Sequence, residues 1–239
     1  MLFMRASAQD CCCPMPVQRS PFDLVIFDCD GVLVDSEVIS CRTLVDILSP
    51  LDPSYDLQTV MRRYLGRPSS AVVEDYERMT GRPVSTDFTQ DWRARLFATF
   101  ARELQPVEGV RSVVEAFASD YCVASSSDEE RIEICLRKAE LWDLFEGRIF
   151  STTRVRRGKP APDLFLLAAR ERGVAPERCL VIEDSVSGVT AAKAARMTAY
   201  GLAAGSHFAV LDQRQALLDA GADKVLESWR ELAPMPATS

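Results

Sequence analysis

The 239-residue chain carries 28 Lys plus Arg against 35 Asp plus Glu, a net charge of −7, with 47% hydrophobic and 26% charged residues. Those proportions exclude collagenous, low-complexity and largely disordered chains, and the acidic balance excludes the footprint of a nucleic-acid binder or polybasic membrane anchor. A single histidine, His207, excludes HExxH and three-histidine zinc sites, so catalysis of any kind falls to carboxylates, hydroxyls or lysine.

Residues 1–20, MLFMRASAQDCCCPMPVQRS, mix polar residues with prolines and lack the apolar core of a signal peptide or spanning helix. They read as a mobile tail. From Phe22 the pattern changes. FDLVIF (22–27) is short, apolar and β-rich, as a strand buried on both faces should be. From Ser36 to about Gln105 the pattern is helical throughout. Val38, Cys41, Leu44, Val45 and Leu48 share one face, and Trp92, Leu96, Phe100 and Leu104 step by four with Phe97 beside them. Pro50, Pro53, Gly66, Pro68, Gly81 and Pro83 cut this stretch into four helices.

Beyond it, strand-like runs resume at Tyr121–Ala124, Cys179–Ile182 and Thr198–Leu202. Between and around them lie helical stretches at Val110–Ala118, Arg131–Ala139, Pro162–Arg172 and Val186–Arg196. The alternation predicts an α/β fold: a Rossmann-like, doubly wound parallel sheet with an inserted all-α unit. The boundaries expected are 21–35 and 107–239 for the catalytic core and 36–106 for the helical insertion.

Eight cysteines, at 11, 12, 13, 29, 41, 122, 135 and 179, form no CxxC pair and read as reduced thiols of a cytoplasmic protein. No stretch approaches 18 consecutive apolar residues. No nucleic-acid or membrane partner is expected, and a monomer is the default.

The chemistry gathers at strand ends, where open parallel sheets bind ligands. The first strand runs into Asp28-Cys29-Asp30-Gly31, so two carboxylates point the same way before a tight turn. The Cys179–Ile182 run ends in Glu183-Asp184-Ser185, and Tyr121–Ala124 ends in Ser125-Ser126-Ser127. Ser127 with Glu130 fits a capping box, which leaves Ser125 to face the cleft, with Ser126 as the alternative. Lys159 stands on the proline-stiffened loop GKPAPD (158–163). Four converging acids demand compensation, and Mg²⁺ suits an all-oxygen site. Ionised Asp28, Glu183 and Asp184 balance Mg²⁺ and Lys159 if carboxylate neighbours hold Asp30 protonated; the neutral site can then accept a phosphate dianion.

DCDGVLVDSE (28–37), the serine after the second strand, GKPAPD and EDSVSG (183–188) resemble motifs I to IV of the haloacid-dehalogenase superfamily, in order, over about residues 22–230. The motif I wording and the insertion resemble the capped branch of β-phosphoglucomutases and small sugar-phosphate phosphatases, closest to 6-phosphogluconate phosphatase-like proteins. The resemblance implies a Mg²⁺-dependent phosphatase of a small phosphorylated metabolite, a sugar phosphate such as 6-phosphogluconate, with the insertion as a mobile cap. It implies Asp28 as nucleophile forming an aspartyl-phosphate and Asp30 as acid and base. It implies Ser125, Ser126 and Lys159 as phosphate-binding groups, with Ser125 and Lys159 also catalytic. Asp28, Asp30 (also through its carbonyl), Glu183 and Asp184 would hold the metal.

Two alternatives accompany this reading: a sugar-phosphate mutase of the β-phosphoglucomutase type, and a non-enzymatic phospho-acceptor or binding module. Against the mutase, the histidine that follows motif I in β-phosphoglucomutases falls here on Ser40. Among the remaining residues, Asp35 is expected to be structural, and Glu37 lines the cleft or caps the first inserted helix. Arg156 and Arg157 form a solvated face. Arg67 is a candidate to reach over a substrate. His207 belongs to a surface loop.

Overall fold

The four apolar residues Leu24–Phe27 form β1, fully buried, with Val25 and Phe27 on one face and Leu24 and Ile26 on the other. A strand covered on both sides needs such an uninterrupted run. The computed structural model of the chain describes residues 21–66, 69–117 and 119–232. The expected tail over 1–20, with Cys11 to Cys13, and Arg67 lie outside the described residues.

After β1 come four helices: α1 (Glu37–Leu48), α2 (Leu57–Tyr64), α3 (Ser69–Thr80) and α4 (Thr86–Glu103). Their breaks fall at Pro50, Pro53, Gly66, Gly81 and Pro83, as the sequence predicts. Asp56 and Ser85 cap α2 and α4 by accepting from the N–H of Thr59 and Phe88. Cys41, Leu44 and Leu48 of α1 pack with Val60, Met61 and Tyr64 of α2. Leu96, Phe100 and Leu104 turn instead towards the sheet, joining the face that holds Val25 and Phe27.

The chain then alternates. It runs α5 (Val110–Glu115), β2 (Asp120–Ser125), α6 (Glu129–Lys138), α7 (Trp142–Phe145), β3 (Ile149–Ser151), α8 (Asp163–Glu171), β4 (Cys179–Glu183), α9 (Val186–Ala194), β5 (Thr198–Leu202), α10 (Arg214–Asp219) and β6 (Lys224–Leu226). Among the described residues the sheet has six strands, all parallel, in the order β3-β2-β1-β4-β5-β6. The doubly wound parallel sheet is borne out.

Register places the site. Phe27 lies beside Val123 and Ile182, so β1, β2 and β4 end close together. The chain leaves β1 for neighbours on both sides, which opens a crevice beyond those ends. Beneath the turn after β1, Trp229 is fully buried and its Nε1–H donates to the Val32 carbonyl at 3.1 Å.

Candidate active site

Beyond the strand ends lies a cavity of about 610 Å³, walled on one side by the strand-end loops and on the other by residues of α1 to α4. Asp28, Asp30, Ser125, Ser126, Lys159, Glu183 and Asp184 all line it. The structure brings every predicted site residue to one place.

Lys159 ties the strand ends together. Its side chain is 2% exposed, and Nζ donates to Asp28 Oδ1 at 2.7 Å, Glu183 Oε1 at 2.6 Å and the Ala124 carbonyl at 2.9 Å. Burial works against its charge, but Asp28 and Glu183 more than offset that and hold its pKa above the ordinary lysine value. Ser125 ends β2 fully buried and accepts from the Ser127 N–H at 3.1 Å, while Ser126 is exposed to the cavity.

The acids divide by their partners. Glu183 is buried, with Oε1 taken by Lys159 and Oε2 accepting from the N–H of Asp184 and Ser185 and the Ser185 hydroxyl. Gly188 makes room for it: a Cβ there would sit 1.8 Å from the Glu183 carboxyl carbon. Asp28 keeps Oδ2 and Asp184 keeps both carboxylate oxygens without a hydrogen bond among the described residues. Burial pushes the Asp28 pKa up to about 7, with Lys159 opposing and Glu183 and Asp30 adding to the rise. Burial and the neighbouring Glu183, Glu37 and Asp28 raise Asp184 well above the carboxylate range.

Metal-ligating oxygens of Asp28, Glu183 and Asp184 lie within 4.8 Å of one another, so the three can hold a metal ion. The donor set fits a hard divalent cation: all three groups offer oxygen, and Asp28 and Asp184 each keep oxygen without a hydrogen bond among the described residues. Gly31 forms the cradle, since a Cβ there would stand 1.7 Å from Asp184 Oδ2.

Asp30 corrects one expectation. Its carboxylate joins Arg131 Nη2 at 2.7 Å and the hydroxyls of Ser36 at 2.5 Å and Ser127 at 2.7 Å. Burial favours the protonated acid, but Arg131 and the two hydroxyls outweigh it and hold the pKa below its ordinary value. Asp30 is therefore neutralised by an ion pair rather than by a proton, and its carboxylate stands apart from the metal cluster. Arg131 went unassigned in the sequence. Its signal there is faint: the lone cation in the first turn of α6, behind Asp128, Glu129 and Glu130.

Three further expectations change or sharpen. Asp128, not Ser127, caps α6 by accepting from the Arg131 N–H, which frees Ser127 for Asp30. His207 lies not on a surface loop but fully buried beside Asp184, where burial lowers its pKa to about 4. Asp35 is structural: Oδ1 accepts from the N–H and hydroxyl of Ser206. Glu37 opens α1 and lines the cavity, and Ser40 lines it while accepting from Arg131. Arg156 and Arg157 are exposed, with Arg157 paired to Asp163.

Fold and site together define an α/β enzyme with an acidic centre at the switch point of its sheet. Residues 25–202 match the haloacid dehalogenase-like hydrolase family, and the chain belongs to it. It is 29% identical over 189 residues to the 6-phosphogluconate phosphatase of Escherichia coli (strain K12), covering 79% of this chain and 86% of that protein. It is 31% identical over 179 residues to hexitol phosphatase B of the same organism, covering 72% and 79%. The crystal structure of a HAD family hydrolase from Deinococcus radiodurans R1, with bound phosphate and sodium, superposes with a TM-score of 0.73 at 34% identity over 89% of this chain and 93% of that one. The expectation of a phosphoric monoester hydrolase is borne out at the level of enzyme class. No described helix is long and apolar enough to cross a membrane.

Proposed function

We propose that the chain is a Mg²⁺-dependent phosphatase of a small phosphorylated metabolite, a sugar phosphate or similar, acting through an aspartyl-phosphate on Asp28. One observation carries this reading: Lys159 bridges Asp28 and Glu183 in a buried site where Asp28 and Asp184 keep oxygens unbonded. The charges close. Three ionised acids, Asp28, Glu183 and Asp184, balance Lys159 and a dication, and Asp30 is balanced separately by Arg131. The site can then accept a phosphate dianion without net repulsion.

Asp28 and Asp184 would hold the ion, with Glu183 fixing Lys159 beside it. When bound, the metal shields the attack of one anion on another. The Asp28 oxygen attacks phosphorus, and the ester bond opposite breaks in line. As the phosphate dianion enters the cavity the Asp30 pKa rises, so its carboxylate takes up a proton from solvent and then gives that proton to the leaving oxygen. Asp30 then takes a proton from water, which attacks phosphorus and frees the Asp28 carboxylate with release of phosphate. Ser125, Ser126 and Lys159 hold the phosphoryl oxygens meanwhile. General acid–base help of this kind is worth roughly 10²–10⁴-fold.

The helices α1 to α4 act as a cap, and their residues in the cavity wall restrict it to small substrates. The named activities of the relatives support a sugar or sugar-alcohol phosphate, with 6-phosphogluconate among the candidates. Hydrolysis is favoured over mutase chemistry because Ser40, which carries no imidazole, stands in the cavity. Among the described residues, the five cysteines are free and buried, which supports a cytoplasmic setting.

The test is phosphate release from p-nitrophenyl phosphate and a panel of sugar and polyol phosphates. Release should require Mg²⁺ and vanish in Asp28→Asn. Turnover undiminished by exhaustive EDTA, or retained in Asp28→Asn, would overturn the reading.

A further inference from the structure

His207 is the only histidine of the chain, and it is fully buried. Neither ring nitrogen has a hydrogen-bond partner of good geometry, an arrangement that a buried imidazole rarely tolerates without a reason. Its Nε2 lies 3.3 Å from Asp184 Oδ2. Among the described residues no donor forms a hydrogen bond to the Asp184 carboxylate, whereas the neighbouring Glu183 accepts four. One acid is held by hydrogen bonds on both oxygens; the other has none on its carboxylate and lies beside the imidazole.

The loop around His207 is built to keep the ring there. Gly205 leaves space that a Cβ would fill, 2.6 Å from both Cε1 and Nδ1. Gly31 does the same, since a Cβ there would lie 3.1 Å from Cε1 and 1.7 Å from Asp184 Oδ2. The Phe208 ring packs against the imidazole with centroids 4.4 Å apart. Asp35, just past the turn that holds Gly31, fastens the loop by accepting from the N–H and hydroxyl of Ser206. The imidazole is thus wedged between the turn after β1 and the acid after β4.

We propose that His207 is a positioning residue for the metal: its Nε2–H donates to Asp184 Oδ2 and fixes the direction in which that carboxylate presents its oxygens to the divalent cation. The proposal rests on the metal reading above. Ligating carboxylates need such outer partners, because a freely rotating carboxylate loses orientation entropy at each binding event. The donor comes from a loop after β5, so neither strand that carries the ligands has to supply it. The Asp35–Ser206 bonds couple the start of the helical insertion to the same loop.

Two measurements on the full chain decide it. The first is Mn²⁺ binding followed by electron paramagnetic resonance. His207→Leu fills the space without a donor and should weaken Mn²⁺ binding roughly 10–100-fold. His207→Gln restores an N–H at about the same reach and should recover affinity to within ~3-fold of the parent, since the donor is what the outer partner contributes. Parent-like Mn²⁺ affinity in His207→Leu, or a glutamine variant as weak as the leucine one, would overturn the proposal while leaving the metal site standing. A parent that binds no Mn²⁺ would overturn the metal reading itself, and this proposal with it. The second needs no variant. A single histidine gives a single imidazole signal, and Mg²⁺ should move its Nε2–H downfield and slow its exchange with water. An imidazole N–H unchanged at saturating Mg²⁺ would count equally against the donor role.

Discussion

Asp30 and Arg131 stand 101 residues apart in the chain and meet at 2.7 Å, both largely buried. Arg131 Nη2 also reaches Ser40 Oγ at 3.2 Å, so one guanidinium links the turn after β1, the first helix of the insertion and α6. Its ring-stacking contact with Phe100, 5.2 Å to the centroid, fixes the fourth inserted helix to the same group.

Arg131→Met should therefore act on both stability and pH dependence. Breaking one side of a buried pair leaves Asp30 uncompensated, at a cost of about 3–5 kcal/mol. The sign follows from the lowered pKa: the pair's stabilisation is present above the ordinary Asp value of 3.8 and disappears as pH falls through the lower folded value. Chemical denaturation of parent and variant at pH 7 should show the full gap. With Arg131 gone, the Asp30 pKa rises, so the acidic limb of the kcat profile should move to higher pH. An unmoved limb would mean that Asp30 is not the base.

Much of this arrangement was legible because three of the four inner strands, β1, β2 and β4, are apolar runs with acids or serines at their carboxyl ends. The edge strands were not legible. β3 and β6 are three residues each, and an edge needs fewer apolar residues than a strand flanked on both sides. Ser127 was misassigned because S-x-x-E and an aspartate cap one residue later are both sound helix starts. Choosing between them needs to know that Asp30 will be waiting across the sheet. Arg131 and His207 fail for the same reason. Each is an ordinary residue in its own segment, and its meaning comes from a carboxylate brought near by tertiary packing.

Magnesium should bind more tightly as pH rises through about 7, the value to which burial pushes Asp28 in the metal-free protein. A cation needs the ionised acid, so binding must expel protons at lower pH. A raised folded-state pKa also means that stability present below the unfolded value is lost as pH climbs through the folded one, which leaves the metal-free protein weakest in mild alkali. Saturation at 100 times Kd returns about 2.7 kcal/mol. Thermal melts with and without Mg²⁺ at pH 6 and 8 should show the larger rise at pH 8. A larger rise at pH 6 would contradict the assignment.

Lys159→Met should be severe in both stability and activity. It removes the cation between Asp28 and Glu183 and leaves both buried acids facing each other, for about 3–5 kcal/mol of stability. Losing a fixed charge at the phosphoryl group should lower kcat on the order of 10²–10³-fold. Lys159→Arg should not rescue. The side chain is 2% exposed, and Nζ meets three oxygens as a point donor, a geometry that a planar fork does not reproduce. Rescue by arginine would show that charge alone suffices.

Gly31 and Gly173 make a matched pair for separating backbone strain from crowding at the metal. Both hold positive φ, +74° and +69°. An added Cβ at Gly173 meets nothing within 4 Å, while at Gly31 it would lie 1.7 Å from Asp184 Oδ2 and 2.7 Å from its carboxyl carbon. Gly173→Ala therefore carries only the left-handed penalty, about 1–2 kcal/mol, and should keep full turnover. Gly31→Ala carries that penalty and must also displace the Asp184 carboxylate, beside which the His207 ring stands at 3.3 Å. Metal affinity and kcat should both fall in Gly31→Ala by far more than its melting temperature, relative to Gly173→Ala. If the two variants lose equal stability and Gly31→Ala still binds Mn²⁺ like the parent, Asp184 does not hold the metal where its present orientation puts it.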